Sequence, residues 1–228
     1  MRLYKWIVLL VMAIAMPVSA ADDGEFSGDE ENASENKRTF NLGEGALEWD
    51  EYYDKERSAG IEGDKLHLEC KKDKLDAMTY ASLPLNSEEE FTIETEFVVS
   101  EINDKNPFGV VFNMKDDANY DMMLFWENRF SYVVVEDGEV ILAKTKGKSR
   151  PDTIKLKKGK KQKVALKMEK RGEKLRFSVN GNDEFYRRTP TEGAYRSRDF
   201  GFYVSGKGWL DVTSLSLTQD LSESESND

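Results

Sequence analysis

The chain has 228 residues, one Cys, one His and a formal net charge of −11, from 33 Lys and Arg against 44 Asp and Glu. That acidic surplus opposes nonspecific nucleic-acid binding, which needs cations to meet the phosphate backbone. One Cys excludes an intrachain disulfide and any Cys-based metal cluster, and one His excludes a multi-His zinc site. No cofactor or metal is expected.

Residues 1–20 read as a signal peptide. Arg2 and Lys5 form a positive start, Trp6 to Met16 an apolar run, and Pro17 breaks the helix. Val18, Ser19 and Ala20 then offer the small residues of a cleavage site, placed after Ala20. The run is well short of the roughly 20 apolar residues that span a bilayer, so membrane insertion is not expected. Losing Arg2 and Lys5 takes the net charge from −11 to −13. The expected location is the periplasm or the cell exterior.

Composition divides the rest. Ala21 to Asn36 carries seven acidic residues, no Lys or Arg and no apolar periodicity, so residues 21–37 read as a disordered acidic leader. The alternating Ser and acid of residues 220–228 read as a disordered tail for the same reason. Between them, residues 38–219 are enough for a single domain with a substantial core.

The elements expected in that domain are strands. Lys65 to Cys70 alternates, placing Cys70 on the face of Leu66 and Leu68 as a small buried hydrophobe. His67 points the other way and reads as a solvated strand residue. Glu90 to Val99 sets Phe91, Ile93, Thr95, Phe97 and Val99 against Thr92, Glu94 and Glu96. Runs of the same kind follow at 108–114, 120–126, 130–135, 139–143, 163–168, 175–179, 200–204 and 209–217. Turn pairs such as Glu127-Asn128, Asp137-Gly138, Arg171-Gly172 and Asn180-Gly181 separate them. Short strands at this spacing indicate an all-β fold, a two-sheet antiparallel jelly-roll sandwich. Residues 108–112 and 122–126 are apolar on both faces, as central strands with a covered or concave second face would be. A change of parity between Leu210-Val212 and Leu215-Leu217 predicts a bulge near Thr213-Ser214.

The order of these segments, with Phe91-Thr-Ile-Glu-Thr-Glu-Phe, Pro107-Phe-Gly-Val-Val-Phe, Asp117-Ala-Asn-Tyr120, Arg129-Phe-Ser-Tyr-Val-Val-Val, Val164-Ala-Leu-Lys-Met, Leu175-Arg-Phe-Ser-Val-Asn-Gly and Phe200-Gly-Phe-Tyr-Val-Ser-Gly, resembles the concanavalin A-like lectin/glucanase superfamily. It is similar in particular to the laminin-G-like and keto-disaccharide-hydrolase-like jelly rolls of exported bacterial proteins. The resemblance covers nearly the whole of 38–219 and implies a fold shared by sugar binders, glycosidases and modules without a ligand, so chemistry must be read from sites.

Glycoside hydrolysis asks for two carboxylates flanking the scissile bond. Glu94 and Glu96 share a strand face roughly 6 to 7 Å apart. The family's glucanase signature, however, has Asp where Glu96 stands and a further Glu where Val98 stands. Those departures weigh against glucanase chemistry, and no catalytic residue is assigned.

Sugar binding asks for an aromatic platform beside planar hydrogen-bonding groups. Tyr120, Trp126, Arg129, Tyr132 and Tyr203 are the candidates, with Tyr120, Met122, Leu124 and Trp126 in one phase. If that phase faces a concave surface it forms a groove; if it faces inward it is core. Asp116, Asp117, Asn119 and Asp121 offer oxygens to calcium but are also ordinary turn residues. Lys144 to Arg171 holds thirteen Lys or Arg and two acids, either a seat for an anionic partner or lysines that keep an edge hairpin from aggregating. Three readings stand: a noncatalytic binder of carbohydrate or cell-surface glycan, a structural or protein-binding domain whose partner is another exported protein, and a divergent glycosidase.

Overall fold

A computed structural model describes residues 36–99, 106–126, 129–147, 160–188 and 197–219, with backbone alone for residues 36, 44, 129, 142–147 and 182–188. The signal peptide, residues 21–35 of the leader, the tail, and residues 148–159 of the basic segment lie outside the described residues. Fifteen strands occur among those described. They are β1 (Asn36–Phe40), β2 (Tyr52–Tyr53), β3 (Arg57–Glu62), β4 (Lys65–Cys70), β5 (Asp76–Ser82), β6 (Phe91–Val99), β7 (Phe108–Asp116), β8 (Asn119–Trp126), β9 (Arg129–Glu136), β10 (Glu139–Gly147), β11 (Gln162–Arg171), β12 (Lys174–Val179), β13 (Asn182–Arg188), β14 (Asp199–Ser205) and β15 (Gly208–Gln219).

They form two antiparallel sheets that do not close into a barrel, the expected jelly-roll sandwich. One sheet runs β13-β12-β11-β6-β15-β4-β3-β2, with β1 as a ninth strand that pairs with the far half of β15. The other has six strands in the order β10-β9-β8-β7-β14-β5. Turn chemistry explains several hairpins. Asp137 and Gly138, like Asn180 and Gly181, have positive φ at both positions, which is what a tight two-residue hairpin requires.

Alternation along each strand delivers one set of side chains to the space between the sheets. There Phe97 meets Phe108 and Phe202 with ring centroids 5.8 and 6.3 Å apart, both edge-on. Leu66, Leu68 and Cys70 enter from β4, and Leu210, Val212, Leu215 and Leu217 from β15. The last four share one face although their spacing changes, because the register slips between Val212 and Ser214. Each fully buried side chain of this size stabilises the fold by about 1.5–3 kcal/mol.

Two expectations need correction. Strand β1 begins at Asn36, so the boundary expected at residue 38 falls inside a strand. Pairing of Asn36 to Phe40 with Gln219 to Leu215 supplies the hydrogen bonds that the polar local sequence does not advertise. His67 is not simply solvated. Its Nδ1 lies 2.6 Å from Asp211 Oδ1, whose other oxygen accepts from Lys65 Nζ at 2.7 Å, and its ring lies 6.3 Å from Trp209.

Candidate functional site

The six-stranded sheet is apolar on both sides. Its inner side belongs to the core between the sheets. Its outer side carries a second, separate cluster of Val111, Met114, Tyr120, Met122, Leu124, Trp126, Val133, Val135 and Tyr203, flanked by half-buried Met78, Tyr80 and Val140. Every one of these residues comes from the six strands themselves. No apolar side chain of the nine-stranded sheet joins them among the described residues.

Register builds this face row by row. Tyr80, Gly201, Val111, Met122 and Val133 stand across it from β5 to β9, and Met78, Tyr203, Gly109, Leu124 and Ser131 form the next row. Asp76 and Ser205 begin a third, with Trp126 further across on β8. Gly109 and Gly201 leave two dips between the large side chains. A Cβ on Gly109 would run into the main chain of Met123, and one on Gly201 into that of Thr79, so strands approach here more closely than any other residue allows.

The sequence candidates divide between the two sides. Tyr120, Trp126 and Tyr203 lie together on the outer face, all buried. Tyr132 does not join them. It pairs with Met123, which faces inward, and its ring packs against Phe112 and Phe177 in the core, at 5.9 and 6.4 Å between centroids. Its hydroxyl donates to buried Asp121. The pairing of Trp126 with Arg129 sets this parity. Arg129 opens β9 opposite Trp126, and its side chain lies outside the described residues.

Sequence reasoning missed Asp76 and the polar corner around it. Asp76 pairs with Ser205, and Met78, two residues on, pairs with Tyr203. Burial raises the Asp76 carboxyl, opposed by the nearby Ser205 and Tyr203 hydroxyls and by Arg57. Burial likewise pushes the Tyr203 phenol well above its ordinary value, with Asp76 adding to the effect. Arg57 is otherwise engaged, with Nη1 donating to the main-chain oxygen of Asp76 at 3.1 Å. A lone Asp at the start of a weakly alternating strand carries no motif, so its only signal is its place in the sheet.

The remaining candidates find structural uses. Asp116 Oδ1 accepts from Ala118 N and Asn119 Nδ2 at 2.9 and 2.7 Å, and Asn119 Oδ1 accepts from Asp137 N at 3.0 Å. These oxygens hold two adjacent turns, and Asp121 faces away from them toward Tyr132. Glu94 and Glu96 lie on the outer side of the nine-stranded sheet, bridged to Lys37 at 2.6 Å and Lys163 at 2.8 Å. Cys70 is buried, with Sγ 3.8 Å from the Val204 carbonyl oxygen, and burial pushes its thiol up to about 12, far from the range of a nucleophile.

Solved structures match this architecture. The chain is similar to a galectin-like protein of unknown function from Bacillus subtilis, with TM-score 0.52 and 12% identity over 80% of this chain and 94% of that one. It is similar to a Bacillus licheniformis beta-glucanase, with TM-score 0.52 and 7% identity over 83% of this chain and all of the other. The fold is the concanavalin A-like jelly roll. A sialidase also matches this jelly roll, with TM-score 0.56 and 12% identity over 81% of the chain, which spans 18% of the sialidase's length. No protein-family model matches the chain, and no curated protein matches it. Identities this low establish the concanavalin A-like fold and leave function to the site.

Proposed function

We propose that this chain is an exported, noncatalytic module that binds a glycan on the outer face of its six-stranded sheet. One observation carries the reading. The face holds Tyr120, Trp126 and Tyr203 in an apolar cluster to which no other described element contributes, while an antiparallel sheet needs only one apolar side to fold. Aromatic rings suit the apolar face of a pyranose, and because Tyr120, Trp126 and Tyr203 are buried in the ligand-free fold, the reading requires this face to open for the sugar. Similarity to a galectin-like fold supports the same reading. Export rests on residues 1–20. The glycosidase alternative has less support, because its candidate acids, Glu94 and Glu96, are each paired with a lysine on the other sheet.

The test is a glycan-array screen of the full chain at low and high salt, beside Trp126→Ala. Salt-resistant binding to neutral glycans, lost in a folded Trp126→Ala protein, is the expected result. Binding that vanishes with salt would move the site to the basic residues. No binding at all would overturn the reading and favour an exported protein as the partner.

A further inference from the structure

The outer face of the six-stranded sheet is sealed. Val111, Met122 and Val133, side by side on β7, β8 and β9, are 0% exposed, and Tyr203 on β14 is 2% exposed. The outer side of the other sheet is different. Val98 stands there on the interior strand β6, between Asp211 and Lys163, and remains half-buried. Neighbouring strands alone therefore leave a valine within reach of water, and Val111 and Val133 need something above them. No other described strand supplies it, so the cover comes from residues of this chain outside the described ones.

Composition selects among those residues. No member of the face cluster is charged, and burying an unpaired charge against it is costly. The internal stretches 100–105, 127–128, 148–159 and 189–196 all carry charged residues, and 21–35 and 220–228 are acidic. Trp6 to Met16, by contrast, is eleven uncharged apolar residues in succession. Coiled as a helix, a run of that length spans roughly 16 Å, about the breadth of β14, β7, β8 and β9 at their usual spacing. Met78, Met114 and Met122 give the face unbranched side chains that adapt to what lies on them. The nineteen residues between Met16 and Asn36 extend to roughly 60 Å, against about 40 Å across a domain of this size. The run can therefore pass from β1 round to the other sheet.

We infer that Trp6 to Met16 occupy the outer face of the six-stranded sheet in the uncleaved chain, and that cleavage after Ala20 clears it. Until it is removed, the leader fills the surface that a ligand would use. This supplies the opening that the glycan reading requires, and it does not depend on what the face binds afterwards.

Two adjacent methionines read this directly. Met122 faces outward and Met123 faces the core, both 0% exposed. The experiment follows the oxidation of each by hydrogen peroxide, using peptide mass spectrometry. It compares the full chain, residues 21–228, and the full chain carrying Leu9→Asp with Leu10→Asp. All fifteen described strands lie within 36–219, so the shortened and substituted chains keep the whole described fold. In the full chain both methionines should react slowly. In the other two, Met122 should oxidise about tenfold faster, as its new exposure allows, while Met123 stays slow.

Met122 equally slow in all three chains would overturn the inference, because another part of the chain would then be the cover. Met122 already fast in the full chain would overturn it by showing that the face is open from the start. A matching rise at Met123 would overturn it too, since the run would then be holding the core together. A glycan array run on the same chains tells the two readings apart. Exposure of Met122 with no glycan bound by residues 21–228 would sink the glycan and leave the leader's role standing. Equal binding by the full and shortened chains would overturn the leader's role and keep the glycan.

Discussion

The two outer faces of the sandwich solve the same problem in opposite ways. On the nine-stranded sheet the outward residues are polar and paired: Lys37 with Glu94, Lys163 with Glu96, Lys65 and His67 with Asp211, and, along one strand, Lys167 with Glu169. That face can meet water, and its polarity discourages association with other sheets. On the six-stranded sheet the outward residues are methionine, valine, leucine, tyrosine and tryptophan. The difference teaches where to look: the outer face of the six-stranded sheet is buried although no other described element packs on it, so that is the face on which to test for an occupant.

A charge placed on each face would break this comparison most sharply. Val133→Lys introduces an unpaired ammonium into the second cluster and is expected to destabilise by about 3–5 kcal/mol. Ala165→Lys, opposite Glu96 on the other sheet, should change stability by no more than about 0.5 kcal/mol. Urea midpoints measure both, and equal effects would mean that the two faces do not differ. Next in size is Gly109→Ala, whose new methyl meets the Met123 main chain. A loss of about 1–3 kcal/mol is expected from overpacking, and a neutral result would show that the strands can part there without cost.

The Asp76 carboxyl gives a pH signature. Burial raises its folded-state value above the ordinary 3.8, so between the two values the folded chain holds more protons than the unfolded one. Its contribution to stability is therefore greatest below 3.8 and falls as pH rises through that window. Arg57, Tyr203 and Cys70 are the titratable neighbours that bear on it. Asp76→Asn should flatten this decline, and unchanged melting curves across acid pH would show that Asp76 is solvated. The smallest effect belongs to Glu96→Gln. It breaks an exposed bridge to Lys163 and should cost less than about 1 kcal/mol, diminishing with salt.

Much of this architecture was legible because burial leaves a period in the sequence. The alternation of β6 and the two-sided apolarity of β7 and β8 were readable, and so was the slip in β15, where Leu210-Val212 and Leu215-Leu217 could share a face only through a bulge. Strands β1, β2, β3, β5 and β13 escaped notice. Arg57–Glu62 and Asp76–Ser82 lack a clean polar-apolar alternation, and Asn182–Arg188 is a polar edge. Hairpin register decided the site. Tyr132 and Trp126 look like partners along the chain, yet the register of β8 with β9, Trp126 opposite Arg129 and Met123 opposite Tyr132, places them on opposite sides. The polar corner of Asp76 and Tyr203 was hidden more deeply, because the two are brought together by a pairing between strands far apart in sequence.

Strand β15 has a consequence for how the molecule comes to exist. It lies between β6 and β4 and also carries β1, so without it the nine-stranded sheet separates into one ribbon of β2 to β4, another of β6 with β11 to β13, and an orphaned β1. Leu210 meets Val99 more than a hundred positions earlier, and closing loops of that length is slow. Strand β15 is thus the keystone of this sheet: the described strands on either side of it become one sheet only once it is in place.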